Sequence, residues 1–296
     1  MQNKFHGVGV AIVTPFKEDK TVDYDAFERV IEHLIEGGVN YIVVQGTTGE
    51  AATLTKEEKL SVLEFAMEVV KKRVPVVFGY GGNDTADMLA GMGDFPLDKV
   101  DAILVASPHY NKPSQEGIYQ HYKQLAEKSP APIILYNVPG RTGSNMTAET
   151  TLRLANDFKN IVAIKEASGD LHQMGQLIKH KPEGFNVLSG DDNLILQQLS
   201  IGADGLISVI ANAFPKHFSE FIKAGRAGDL VKAQEYHYQF IDVIPLLFAD
   251  GNPGGIKAIL EMLNIAKNEL RLPLVPVSQA VYDKLNKVIN DEGLVS

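Results

Sequence analysis

The chain has 296 residues, 45% of them apolar and 22% charged, which is enough to bury a large core. A formal net charge of −9 with no long basic run argues against a nucleic-acid or anionic-membrane partner. The absence of cysteine excludes disulfides, thiolate nucleophiles and cysteine-ligated metals together, and it fits a reducing cytoplasm.

No apolar run approaches the roughly 18 residues of a membrane span. The opening Met1-Gln2-Asn3-Lys4-Phe5-His6-Gly7 lacks the apolar core of a secretory signal. Val8–Val13 then reads as a first strand, closed by Thr14-Pro15. Phe27, Val30, Ile31, Leu34 and Ile35 recur at helical spacing, with Gly37-Gly38 as the stop. A second strand, Tyr41–Val44, runs into Gln45-Gly46-Thr47-Thr48-Gly49-Glu50. Thr55 and Glu58 form a capping-box pattern for a helix carrying Leu60, Leu63, Met67 and Val70. Val74–Phe78 is a third strand, ended by Gly79-Tyr80-Gly81-Gly82-Asn83.

The alternation continues. Ala102–Val105 leads into Ser107-Pro108-His109-Tyr110, and a helix after Ser114 carries Ile118, Tyr122 and Leu125. Pro132–Tyr136 leads into Asn137-Val138-Pro139-Gly140-Arg141-Thr142-Gly143, and a helix around Leu152 and Leu154 follows. Ile161-Val162-Ala163-Ile164 runs into Lys165, Phe185–Leu188 meets Ser189-Gly190-Asp191-Asp192, and Gly205–Ser208 closes the series. Eight strand candidates with helical stretches between most of them predict an α/β fold, a closed (β/α)₈ TIM barrel. A doubly wound open sheet competes, but no Gly-x-Gly-x-x-Gly turn follows the first strand. Beyond about residue 225 the pattern turns helical over 230–248, 256–263 and 278–289, and Asn252-Pro253 suits a cap and a first helical position. The expected division is a barrel with the active site over residues 1–225 and a helical appendage over 226–296 that packs on the barrel or on another subunit.

In such barrels the chemistry gathers where the strands end in the C-terminal direction. Thr47-Thr48, Tyr136 and Lys165 all fall at strand ends, with Tyr110 and Arg141 just beyond them. A lysine stem in a dry interior favours the neutral amine, a nucleophile toward ketones; the alternative is a lysine that snorkels to water. A tyrosine hydroxyl beside it can carry the protons of iminium formation, although buried tyrosines more often bond to backbone. Amides of Gly46–Gly49 can seat a carboxylate, or the segment is only a tight turn. Arg141 offers a planar fork for a second carboxylate, or is an ordinary loop charge. Gly79–Gly82 has no Lys-Ser/Thr partner and reads as a turn, not a phosphate loop. The eight histidines show no His-x-His or His-Glu-x-x-His pairing, so no metal is expected.

Gly46-Thr47-Thr48-Gly49-Glu50, Tyr136-Asn137-Val138-Pro139-Gly140-Arg141-Thr142-Gly143 and Ile164-Lys165-Glu166-Ala167-Ser168-Gly169 together resemble the dihydrodipicolinate synthase family. That family lies within the pyruvate-dependent, lysine-Schiff-base aldolases that include N-acetylneuraminate lyase. The likeness spans essentially the whole chain. The Thr-Gly-Glu and Lys-Glu-Ala segments are shared broadly across the superfamily, whereas Gly140-Arg141-Thr142 is more particular to the synthases. The resemblance implies that Lys165 forms a Schiff base with pyruvate and that Tyr136, Thr47 and Tyr110 form a proton relay, Tyr110 reaching into a neighbouring subunit's site. It further implies that Thr48 seats the pyruvate carboxylate, Arg141 receives aspartate semialdehyde, and main-chain groups at Gly190 and Ile207 line the site. No cofactor is needed, and the expected assembly is a cytoplasmic homotetramer arranged as a dimer of tight dimers.

Many members of the family bind the end product lysine between the subunits of the tight dimer. The corresponding positions here are Ala51, Ala52, Lys56, Lys59, Asn83, Asp87 and His109, and sensitive members typically place a serine, histidines and a tyrosine where this chain has Ala51, Lys56, Lys59 and His109. Two added cations disfavour a cationic effector, partly offset by Asp87, so weak or absent inhibition is expected. An aldolase acting on a sugar acid is the nearest alternative activity, against which Arg141 argues. A catalytically silent barrel used for binding is the alternative from another class.

Overall fold

The computed structural model describes residues 4–294; the first three residues of the opening stretch, and 295–296 at the end of the helical appendage, lie outside it. In chain order the elements are β1 (Gly7–Ala11), α1 (Tyr24–Glu36), β2 (Tyr41–Val44), α2 (Lys56–Val70), β3 (Val76–Gly79), α3 (Thr85–Gly91) and β4 (Ala102–Ala106). There follow α4 (Gln115–Lys128), β5 (Ile133–Asn137), α5 (Pro139–Thr142), α6 (Ala148–Asp157), β6 (Ile161–Glu166), α7 (Leu171–His180), β7 (Asn186–Ser189), α8 (Ile195–Ser200) and β8 (Gly205–Ser208). Five further helices complete the described chain: α9 (Pro215–Arg226), α10 (Leu230–Phe240), α11 (Val243–Phe248), α12 (Gly254–Met262) and α13 (Gln279–Asp291). The eight strands pair in sequence order, every pair parallel, and β8 returns to β1 to close the barrel.

Strand alternation sorts side chains between two apolar layers. Ala11, Tyr41, Val43, Val77, Leu104, Ile134, Tyr136, Ala163, Leu188 and Ile207 point into the barrel. Val10, Ile42, Val44, Ile103, Leu135, Ile164 and Leu206 point out against the helices, in a core that runs on into α10–α13 through Phe240, Leu247, Ile259 and Leu285. Tyr41 fills the barrel floor because Gly9 leaves it room: a Cβ on Gly9 would lie 2.1 Å from the tyrosine ring. Among the described residues no helix is long and apolar enough to cross a membrane.

Local signals set the helix ends. Asp23 caps α1 by accepting from Ala26 N, and Gly38 follows the helix at φ +79°. Thr55 and Glu58 form the expected capping box at α2. The buried stripe of α2 is Val62, Leu63, Ala66, Val69 and Val70, so Leu60 and Met67 lie at its margin.

Several boundaries differ from the sequence reading. Ladder pairing begins at Val76 because Pro75 has no N–H to donate, although its carbonyl still accepts from Ile42 N at 3.1 Å. Strand β1 ends at Ala11, and Val13 N turns instead to the Asn212 side chain at 3.1 Å. The helix expected over 230–248 breaks after Phe240: the ring of Pro245 would clash with the Ile241 carbonyl one turn earlier, so α11 restarts with Pro245 in its first turn. Helix α12 begins at Gly254 with Pro253 as its cap, and Asn252 does not cap it. The Asn252 amide instead donates to Thr48 Oγ1 at 3.0 Å.

Candidate active site

Register brings the central pair together. Tyr136 and Lys165 are neighbours across β5 and β6, each one residue before its strand ends, and both point inward. The Lys165 amine nitrogen stands 4.4 Å from the centroid of the Tyr136 ring. Lys165 is 5% exposed, so its stem is in apolar surroundings, as the sequence reading expects. Gly190, just after β7, makes space for that stem. A Cβ there would lie 3.0 Å from Lys165 Cε and 2.6 Å from Ala167 Cβ.

The next residue on each strand faces the other way, and there the sequence reading missed a polar network. Asn137 and Glu166, also register partners, are buried outside the barrel. The Glu166 carboxylate accepts from Asn137 Nδ2 at 3.0 and 3.2 Å, from Gln173 Nε2 at 3.0 Å and from Ser168 N at 2.7 Å. Asn137 in turn accepts from Met146 N at 2.9 Å. These bonds lock the ends of β5 and β6 and the loop between them, holding the tyrosine and lysine on the inner face. A polar residue directly after each candidate, on the alternate face, was the available signal.

Asp192 performs the same service at β8, and it too went unassigned. It accepts from Ser208 Oγ at 2.6 Å, Val209 N at 2.9 Å and Ile210 N at 3.3 Å, which fixes the chain just after Ile207. Burial raises the Asp192 carboxyl above the usual range, opposed by those three donors. Ile207 itself points into the barrel opposite Gly9.

Thr47, Thr48 and Gly49 form a single 3₁₀ turn directly after β2. Its hydrogen bonds begin at Gly49 N to Gly46 O, 3.0 Å, which leaves the N–H groups of Thr47 and Thr48 as the open donors of the turn. Thr47 is exposed and Thr48 buried. Thr47 and Tyr136 line one cleft of about 230 Å³, together with Gln45, Gly79, Ser107 and His109. Within the single chain their two hydroxyls are not hydrogen-bonded to each other.

The two outer residues stand apart. Tyr110, after β4, is 90% exposed, with its backbone at φ +71°. Arg141 lies in the short helix α5, exposed, and its guanidinium has no ion-pair partner among the described residues. Both sit on the same end of the barrel as Lys165, yet neither meets it within one chain.

The resemblance drawn from the motifs holds over the whole chain. Residues 4–292 match the model of the Dihydrodipicolinate synthetase family. The 4-hydroxy-tetrahydrodipicolinate synthase of Phocaeicola vulgatus is 50% identical over 291 residues, covering 98% of this chain and 98% of the relative. That of Parabacteroides distasonis is 50% identical over 283 residues, covering 96% and 95%. Among solved structures, the dihydrodipicolinate synthase of Aquifex aeolicus superposes with a TM-score of 0.94 at 40% identity, covering 98% of this chain and 99% of that one. A monomeric dihydrodipicolinate synthase variant gives 0.95 at 40% identity, covering 99% and 98%. With motifs, barrel and full-length identity in agreement, this chain belongs to the dihydrodipicolinate synthetase family.

Proposed function

We propose that this chain condenses pyruvate with L-aspartate 4-semialdehyde to give 4-hydroxy-tetrahydrodipicolinate, in lysine and diaminopimelate biosynthesis. The observation that carries the residue assignment is the buried Lys165 amine beside Tyr136 at the mouth of the barrel. The amine attacks the ketone of pyruvate to give a carbinolamine, which loses water to an iminium ion. The cationic nitrogen draws electrons from the methyl group, and loss of a methyl proton gives an enamine. The enamine carbon attacks the aldehyde of the second substrate. The amino group of that substrate then attacks the imine carbon, closes the ring and expels Lys165.

Each proton move needs a carrier, and the Tyr136 phenol stands beside Lys165 on the neighbouring strand. Thr47 and the partner's copy of Tyr110 extend the relay, so the working site is read as one completed by a second subunit of a cytoplasmic homotetramer. The open N–H groups at Thr47 and Thr48 suit the pyruvate carboxylate, and the unpaired Arg141 suits that of the semialdehyde. A sugar-acid aldolase would place neutral hydrogen-bonding groups where Arg141 stands.

Borohydride reduction in the presence of pyruvate tests this reading. A 1-carboxyethyl group on the Lys165 amine, the reduced imine of pyruvate, is expected, and it should vanish in Lys165→Ala. No covalent adduct would leave only the catalytically silent barrel. Incubation with pyruvate and each candidate aldehyde separates the synthase from a sugar-acid aldolase.

Inhibition by lysine is expected to be weak or absent. Ala51, Lys59 and His109 line the cleft and His109 N is held by Asn83 Oδ1 at 2.8 Å; Lys59 carries the argument, because Lys56 is paired with Asp94 at 2.6 Å and its charge is offset there. Half-inhibition at micromolar lysine would contradict this.

A further inference from the structure

The turn Thr47–Gly49 is bounded by two non-glycine residues in the left-handed region, Gln45 at φ +59° and Glu50 at φ +52°. Each costs about 1–2 kcal/mol for a residue with a Cβ, so something outside the turn must hold it. That support comes from α12 and the chain on either side of it. Glu50 is paired with Lys257 of α12, and the two side chains are 0% and 1% exposed. The ammonium also donates to the Glu269 carbonyl at 2.7 Å and lies 4.3 Å from the centroid of the Phe16 ring. Glu50 Oε2 accepts from Arg271 N at 3.1 Å. Five residues before Lys257, Asn252 donates to Thr48 Oγ1 at 3.0 Å. Arg271 continues the attachment, with Nη1 on the Thr53 carbonyl at 2.9 Å and both Nη atoms on Glu58 at 2.7 and 2.6 Å.

A fully buried ion pair is a weak source of stability, because desolvation offsets its attraction and an apolar pair of similar volume often serves as well. Its location is the more telling fact. We infer that Lys257, Glu50 and Asn252 are positioning residues: α12 and the chain beside it hold the Thr47–Gly49 turn from behind, in the geometry that receives the carboxylate of the keto acid. This rests on the reading of that turn as the carboxylate seat. None of the three touches the reacting atoms; they act through the backbone of Thr47 and Thr48.

The test is the double variant Glu50→Gln with Lys257→Met, which removes both charges without leaving either buried alone. The introduced amide keeps an acceptor for Arg271 N. The KM for pyruvate should rise about tenfold, while the KM for aspartate semialdehyde stays within about twofold. An unchanged pyruvate KM in a variant with native circular dichroism overturns the proposal. So does a loss of kcat that leaves both KM values untouched, since general loosening would do that. Should the double variant fail to fold, Asn252→Ala, which keeps the ion pair, is measured in the same way and must show the same split. Thr47→Pro tests the seat separately, since it deletes one of the two open N–H groups at the first position of the turn, where proline is tolerated, and leaves the Asn252–Thr48 contact in place. If it raises the pyruvate KM and the clamp variants do not, the clamp fails and the seat survives; if Thr47→Pro leaves that KM unchanged, the seat reading fails by itself.

Discussion

The amine of Lys165 lies over the face of the Tyr136 ring, 4.4 Å from its centroid, on adjacent strands in register. Ring and hydroxyl are therefore separable: the ring packs against the lysine, and the hydroxyl is the proton carrier proposed above. Tyr136→Phe keeps the packing and deletes the hydroxyl. Turnover should fall by about 10²–10⁴-fold, the usual range for a lost general acid–base group. Borohydride trapping of pyruvate on Lys165 should persist at a reduced rate. Full turnover in Tyr136→Phe would remove the phenol from the mechanism.

Gly190→Ala probes the space beside the lysine stem. The new Cβ would meet Ala167 Cβ at 2.6 Å and Lys165 Cε at 3.0 Å, and the alanine contact has no flexible end to yield. Overpacking of this kind costs about 1–3 kcal/mol. Displacement of the amine should lower the trapping rate by at least about tenfold, since misplacing a reacting group by an ångström can cost about 10²-fold in rate. Thermal unfolding and single-turnover trapping measured together check both halves. A variant that unfolds earlier but traps pyruvate normally would show that Gly190 does not set the lysine's position.

Tyr110 is exposed in the single chain, so its place in the relay depends on a partner. Lys165→Ala and Tyr110→Phe chains are each expected to be nearly inactive alone. Mixed oligomers would combine an intact Lys165 with an intact Tyr110 from the other chain and regain a fraction of the activity. Native mass spectrometry confirms mixing while turnover is read. Mixed oligomers without recovered activity would sink the shared-site reading.

His121 sits under α3, with Nδ1 2.8 Å from Thr85 Oγ1 and Nε2 buried without a partner among the described residues. Burial pushes its pKa down to about 4. Between that value and an unfolded value of about 6.5, the unfolded chain binds the extra proton, so stability rises with pH across the window and is lost as the medium is acidified. The full effect is on the order of 3 kcal/mol. His121→Gln should therefore show a shallower loss of stability than the unsubstituted chain between about pH 6.5 and pH 4, measured by urea unfolding. Parallel pH profiles would show that His121 does not set the slope.

Repetition made the barrel readable. Most βα units carry their own apolar run, cap and turn, as in Tyr41–Val44 followed by Thr55 and Glu58, and those signals act within a few residues. The strand-end position of Lys165 and Tyr136 was legible for the same reason, because a run of apolar residues that stops at a polar one marks the end of a buried strand. Arg141 could be marked as a candidate fork, but its unpaired state could not.

Other features depended on segments far apart in the chain. The attachment of Lys257 to Glu50 joins residues 207 positions apart, and neither side chain shows locally that its partner exists. The split between α10 and α11 needed the ring of Pro245 weighed against a carbonyl one turn earlier. The diversion of Asn252 from a helix cap to Thr48 needed the barrel in place. The sequence by itself determined the order of strands and helices and the residues that end them, because periodicity, caps and turns are short-range physics. Only the tertiary structure decided which buried polar groups meet behind the site, because a hydrogen bond across a closed barrel joins residues that no local pattern relates.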